Sequence, residues 1–450
     1  MRQTNFALAL LTAAILSACG GSSNDTAPAP AAKPKFLAQV NFGDSLSDAG
    51  TYKVGAIAQL GGGKYTINGD LTATNAALNG KIWPELVAAQ LGLPAPCAAQ
   101  TGLEGTGTGF NVPVINYPLC NNYAQGGSRV TVAEGPGNKL YTPTLGQLTR
   151  PVTEQIDRHL AKNGGKFSGT EVVFVMAGGN DALQLLSNLS TASTAAGGQA
   201  YAKSLVPALA AGTTNPATAA GTISTAFTAE LGRGGTLQAA TTNAIGAAYQ
   251  LGFRTVIDPA VNTPIVDKAK ADAAAAGAAY GAANGPAQVT AMSQAGADEA
   301  ALIRTKILAK GAKYVVVNNL PDLGSSPFGK ALGVSSPSSL TLVNGMVGAF
   351  NLALRAGIDG LEANVVYVDL FTVSADQVAN PSKYGISNAA APACLATNAL
   401  GGTSLVCNGK NLVAGDVSHY LFADGVHPTP FGSSLIYKAT TDAMVARGWL

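Results

Sequence analysis

Four residue types in this chain could together perform nucleophilic chemistry: a serine on a turn, a histidine, the carboxylate beside it, and an asparagine at the end of an apolar run. Ser45 stands in Phe42-Gly43-Asp44-Ser45-Leu46-Ser47, directly after the apolar run 36–42. That order predicts a buried strand ending at a glycine, with the serine on the turn that opens the next element. Unpaired backbone N–H groups at the start of a helix favour a reaction that builds negative charge. Serine also favours ordinary turns. Gly-Asp-Ser-Leu therefore gains its weight from partner residues further along the chain.

Asp424-Gly425-Val426-His427-Pro428 supplies a base and a group to orient it. A carboxylate that holds an imidazole and stabilises its protonated form is what a serine nucleophile requires. The chain has only three histidines. His159 lies in a charged helical stretch and reads as a solvated surface residue. His419 is open to a structural, pocket or rival-base role. Asn122-Tyr123-Ala124-Gln125-Gly126-Gly127-Ser128 is a turn that could bring a bare backbone N–H close to a ligand. Glu171 to Met176 is an apolar run leading into Ala177-Gly178-Gly179-Asn180-Asp181, so the Asn180 amide should project from the end of a strand. A backbone N–H and a side-chain amide are the donors an oxyanion hole uses.

Taken in order, these segments resemble the sequence blocks of the GDSL family of SGNH hydrolases, over roughly residues 38–445. The resemblance implies a three-layer, flavodoxin-like α/β fold and assigns roles residue by residue. Ser45 takes the nucleophile position, Asp424 and His427 complete the triad, and Asn180 is the side-chain oxyanion donor. Gly127 is the expected backbone donor, with Gly126 as the fallback. Asn319-Leu320-Pro321-Asp322-Leu323-Gly324 is a further family-like segment. The bacterial secreted branch, with its esterases, lipases and lecithinase-like phospholipases, is the nearest in character. Ala423 departs from the aromatic residue similar proteins often carry, which predicts a wider pocket beside Asp424.

The elements that must position these groups are legible as alternation. Apolar, β-branched runs recur at 36–42, 171–176, 313–318 and 364–370. Helix-like segments fall at 83–91, 147–162, 297–310 and 340–356. Such alternation predicts an α/β domain with a parallel sheet. Ligand groups gather beyond the carboxyl ends of parallel strands, where Ser45, Asn180 and the 319–324 loop all fall. Residues 190–300 are rich in Ala, Gly and Thr and read as a helical insertion packed on this core. Compositional drift without functional meaning would give the same pattern.

The chain has 450 residues, 12% of them charged against an average of about 25%, and a formal net charge of +2. No basic cluster points to nucleic acid. Met1-Arg2-Gln3 followed by an apolar run to Leu16 reads as a signal peptide over residues 1–18. Leu16-Ser17-Ala18-Cys19 resembles a lipobox, which implies cleavage before Cys19 and lipidation of its thiol. Gly20 then points to the outer membrane; a plain secretory signal leading to a periplasmic or secreted protein is the alternative. Residues 19–35 form a polar, Pro-rich tether, reaching about 20 Å r.m.s.. The hydrolase domain is expected over 36–450.

Of five cysteines, Cys97, Cys120, Cys394 and Cys407 remain once Cys19 is set apart. An oxidising envelope favours pairing them, and the local pairs Cys97–Cys120 and Cys394–Cys407 close the shortest loops.

No Gly-x-Ser-x-Gly elbow, His-Glu-x-x-His or Cys/His cluster occurs, so neither an α/β-hydrolase lipase nor metal catalysis is expected. No cofactor is expected either. The Gly105–Gly109 run lacks the preceding strand and the Lys-Ser/Thr of a phosphate loop. The leading expectation is a serine esterase or lipase acting on a small-molecule or lipid ester. Within that class, carbohydrate O-deacetylation, phospholipid deacylation and polyester hydrolysis stay open. A non-catalytic envelope binding lipoprotein is the alternative from another class.

Overall fold

Valine-rich runs dictate the centre of the molecule. The computed structural model describes residues 33–69 and 78–450. The expected signal peptide, Cys19 and nearly all of the tether lie outside the described residues. Strand β1 (Ala38–Gly43) is followed by helices α1 (Gly55–Gln59) and α2 (Trp83–Gln90), strands β2 (Gln100–Glu104) and β3 (Asn111–Asn116), and helix α3 (Val152–Lys162). Strand β4 (Glu171–Met176) leads into helices α4 (Gly179–Ala211), α5 (Pro216–Gly232), α6 (Leu237–Gln250) and α7 (Pro259–Leu302). Then come β5 (Tyr314–Asn318), α8 (Pro327–Ser335), α9 (Pro337–Ile358), β6 (Val365–Val368), α10 (Leu370–Ala379) and α11 (Pro430–Ala446).

The four runs pair in the order β1-β4-β5-β6, all parallel, with Val40 opposite Val173, Val173 opposite Val315 and Val315 opposite Val365. Successive side chains of a strand point to opposite faces. Val173, Val175, Val315 and Val317 therefore meet Ile156 of α3, Met292 of α7 and Phe350 of α9 on one face. Val172, Phe174, Met176 and Val316 meet Trp83 of α2 and Met444 of α11 on the other. Helices on both faces make this an α/β fold of three layers, and β2 and β3 form a separate antiparallel pair. Both local disulfides, Cys97–Cys120 and Cys394–Cys407, are formed.

Two helix expectations differ from the structure in their bounds. The 147–162 segment becomes helical only at Val152, because Pro151 pushes Arg150 towards extended backbone. The 297–310 segment is not a helix of its own. It continues α7, a 44-residue helix, through a π turn and a 3₁₀ turn.

His159 is a correction. It is not solvated but 4% exposed, stacked on Phe167 with centroids 4.5 Å apart, and burial pushes its pKa down to about 4. The charged neighbours that suggest a surface lie on the other face of the same helix.

The alanine-rich region is helical, but only part of it packs on the sheet. Met292 and Ala295 of α7 join the sheet core. Tyr201 and Leu205 of α4, Ile223 and Phe227 of α5, and Ala240, Ala244 and Ala248 of α6 form a second core of their own. Among the described residues no helix is long and apolar enough to cross a membrane.

Candidate active site

Gly43 sets the first functional side chain. A Cβ there would fall 2.3 Å from the Met176 carbonyl, so only glycine lets β1 end this close to β4. Gln155 of α3 brackets the same residue, accepting from its N–H and donating to its carbonyl, both at 2.8 Å. The chain then turns tightly. Asp44 Oδ1 accepts the Leu46 N–H at 3.0 Å, and the Asp44 carbonyl accepts the Ser47 N–H at 3.1 Å. That turn places Ser45 in the wall of a pocket of about 220 Å³.

Asp48 hangs the next loop on this one. Its carboxylate accepts the N–H groups of Gly50, Thr51 and Gly126 at 2.9, 2.7 and 2.9 Å. Asn122 adds a bond from Nδ2 to the Ser47 carbonyl at 2.8 Å. The Gly126 N–H is therefore already committed. Gly127, at φ +80°, lines the pocket, and a Cβ there would fall 2.1 Å from the Pro136 carbonyl. Of the two glycines, Gly127 is the one placed to offer an N–H.

Asn180 sits in the first turn of α4, one step beyond the strand end the sequence suggests. Its Nδ2 donates to the Ser128 carbonyl at 2.9 Å. An amide nitrogen carries two N–H groups, so one remains for the pocket that Asn180 lines. Asp181 fastens this arrangement. It pairs with Arg129 at 3.0 Å and accepts the Val130 N–H at 3.1 Å, drawing the 126–130 loop against α4. Nothing in the sequence marks Asp48 or Asp181 as these organisers.

His427 arrives from 382 residues further along the chain, and its Nε2 lies 2.8 Å from Ser45 Oγ. Its Nδ1 lies 2.8 Å from Asp424 Oδ2 and 2.9 Å from Oδ1. An ionised carboxylate can only accept, so His427 Nδ1 donates its N–H to Asp424 and leaves Nε2 as the acceptor facing the serine hydroxyl. Asp424 also accepts the N–H groups of Ser404, Val426 and His427 at 2.7, 3.0 and 2.8 Å. Burial alone would raise this carboxyl. The charge of His427 and these hydrogen bonds outweigh it and hold Asp424 well below the ordinary carboxylate range. Asp44 goes the other way. Burial pushes it up to about 7, although the Leu46 N–H and His427 oppose the shift.

Tyr65 is a pocket residue the sequence does not reveal. Its ring lies 4.7 Å from that of His427, and its hydroxyl meets the Gln147 amide. The remaining lining is apolar and includes Leu183 of α4, Leu320 and Leu323 of the 319–324 loop, and Val347 of α9. His419 is not part of it; its Nδ1 donates to the Gly385 carbonyl at 2.8 Å and its ring stacks on Phe431. Ala423 is a second correction. It widens no pocket, being fully buried among Ile67, Cys394 and Cys407.

Ser45, His427 and Asp424 thus form a continuous hydrogen-bonded relay, with Gly127 and Asn180 beside it. The family model of GDSL-like lipases and acylhydrolases matches residues 40–257. Residues 40–257 are a GDSL-like lipase/acylhydrolase domain. The α/β fold with its parallel sheet is that of SGNH hydrolases. Ser45, Gly127 and Asn180 lie inside the matched stretch, and the fold brings Asp424 and His427 to them from beyond it.

The chain is 29% identical over 141 residues to the GDSL esterase/lipase APG of Arabidopsis thaliana, covering 30% of this chain and 40% of that protein. It is 34% identical over 140 residues to Esterase EstA of Pseudomonas aeruginosa, covering 30% of this chain and 20% of that protein. The match thus spans well under half the length of either curated relative.

Proposed function

We propose that this GDSL protein is a serine esterase or lipase that hydrolyses carboxylic esters through an acyl-enzyme on Ser45. The observation that carries the reading is the relay from Ser45 Oγ through His427 to Asp424, at 2.8 Å on each side of the imidazole. Ser45 Oγ attacks the ester carbonyl carbon while His427 Nε2 takes its proton. The oxyanion accepts hydrogen bonds from the Gly127 and Ser45 N–H groups and the free Asn180 amide N–H. The intermediate collapses, and His427 returns the proton to the departing alcohol. Water, deprotonated by the same imidazole, then attacks the acyl carbon, and Ser45 recovers its proton as the acid leaves. Asp424 keeps its negative charge throughout and stabilises the imidazolium.

Hydrolysis of a p-nitrophenyl ester by purified protein tests this. Ser45→Ala should lower turnover on the order of 10³-fold or more without loss of fold. Undiminished turnover in that variant would sink the mechanism.

We also propose an envelope address, an outer-membrane lipoprotein held through Cys19. It rests on Leu16-Ser17-Ala18-Cys19 and the tether beyond it. The protein should fractionate with membranes, and Cys19→Ala should release it or block its processing. An unmodified, cleaved N-terminus in the soluble fraction would rule this out.

A further inference from the structure

Helix α4 links the catalytic pocket to a second, larger cavity. Asn180 and Leu183 line the pocket at Ser45. Leu186, about one helical turn further on, lines a groove of about 1000 Å³ between α4, α7 and α9. The groove follows α4 as far as Gly197. From Leu183 to Gly197 the helix advances about 21 Å. At its inner end, Leu186, Val289 of α7 and Leu342 of α9 also pack on the sheet core, so this end is apolar. No Asp, Glu, Lys, Arg or His is among the groove's lining residues, and serines and threonines of α4 and α9 supply its hydroxyls.

The floor on α7 carries Gly277, Gly281 and Gly285, spaced to lie on one face of the helix. Glycine is a poor residue for a helix interior. Close packing accounts for the first of them, since a Cβ at Gly277 would stand 3.1 Å from the Ser193 carbonyl. It does not account for the other two. The nearest atoms to a Cβ at Gly281 and Gly285 would be 3.5 and 3.6 Å away, ordinary contact distances. A methyl group at these positions would fit in the wall of the groove, in ordinary contact with Ser193 and Leu342.

We infer that the groove between α4, α7 and α9 receives the distal methylenes of a long-chain acyl ester whose carbonyl is held at Ser45. This rests on the serine-esterase reading and names its substrate class. An acyl chain bonded to the reacting carbon must leave the catalytic pocket, whose own volume is only about 220 Å³. Leu183 lines the catalytic pocket and Leu186, about one turn on, lines the groove, so α4 offers apolar side chains in that direction. One leaflet of a bilayer's hydrocarbon core is about 15 Å deep, so a membrane-lipid acyl chain fits within the length of the groove. Each methylene taken from water strengthens binding about fourfold.

The test compares p-nitrophenyl butyrate with p-nitrophenyl palmitate on the full-length protein. Wild type should show the higher kcat/KM on palmitate. Gly281→Phe, which plugs the groove, should leave butyrate within about twofold and lower palmitate at least about tenfold, since several buried methylenes are lost. Gly281→Ala should keep both activities. Ala278→Trp, at an exposed groove position, plugs the groove from a site that tolerates bulk and serves if Gly281→Phe does not fold. Plugs that lower both esters equally, or neither, overturn the groove and leave the serine esterase standing. A wild type inactive on both esters overturns both readings.

Discussion

The edge of the sheet and the alanine-rich helices are held together by different physics. At the edge, directional polar bonds from distant parts of the chain converge on a few atoms. Gln155 clamps Gly43, Asp48 ties Gly126, Asp181 draws in Arg129, and Ser404 steadies Asp424. Among α4 to α7, burial does the holding, through Tyr201, Leu205, Ile223, Phe227 and a set of alanines. One buried polar contact stands out there, Tyr201 to Thr241 at 2.9 Å. Directional bonds fix where an atom is; burial fixes only how much volume is filled. The first arrangement suits a reaction that fails when a proton acceptor moves by an ångström. The second suits a surface that must accommodate bulk. Helix α4 belongs to both, with Asn180 at one end and Leu205 near the other.

The sharpest way to break this contrast is Phe227→Ala. Removing a buried aromatic from the second core should cost about 3–5 kcal/mol in a denaturant titration. Turnover of a short ester by the folded protein should nevertheless stay within about twofold, because no polar bond at Ser45 is touched. A collapse of turnover in the folded fraction would show that the two regions are not separable.

Asn180→Ala probes the other side of the contrast. It should lower kcat by about 10²–10³ with little change in KM, as loss of an oxyanion donor does. A change confined to KM would make Asn180 a substrate-binding group instead.

Glu299 tests the smallest effect, at the boundary between the regions. It lies on α7, fully buried, and neither carboxyl oxygen has a hydrogen-bond partner among the described residues. Burial, reinforced by Asp181 and Asp44, raises its pKa well above the usual value of 4.5. The folded chain thus keeps a proton that the unfolded chain releases, and stability falls as pH rises from about 4.5 towards the raised value. Glu299→Gln should remove that slope, so the variant gains stability over wild type as pH increases. Melting temperatures for the two proteins that keep the same difference from pH 5 to 8 would contradict this.

The same contrast explains what can be read in advance. Strands such as Glu171–Met176 announce themselves, because valine-rich runs between turns have few other uses. Ser45, Asn180 and His427 are legible because strand ends and Gly-flanked loops limit where their side chains can go. The organisers are not. Asp48 and Asp181 look like ordinary polar residues until the fold brings Gly126 and Arg129 to them. His159 misleads for a related reason. The charge around it lies on the exposed face of α3, and only packing shows that the ring meets Phe167. Helix α7 hides its length because alanine and glycine pack on any face and leave no apolar stripe to trace.

The Cys394–Cys407 bridge closes a segment that contains Ser404, whose N–H holds Asp424 at 2.7 Å. Sulfur chemistry and ester chemistry therefore share a strut. While the two thiols are reduced, the segment loses its covalent closure, and hydrogen bonds such as those from Asn68 Nδ2 to the Ser404 and Cys407 carbonyls, at 3.2 and 3.1 Å, are left to hold it beside the carboxylate that steers His427. Reduction would loosen one of the three N–H supports of Asp424, that from Ser404, and leave those from Val426 and His427 in place. Treatment with a thiol reductant should lower turnover before it unfolds the sheet.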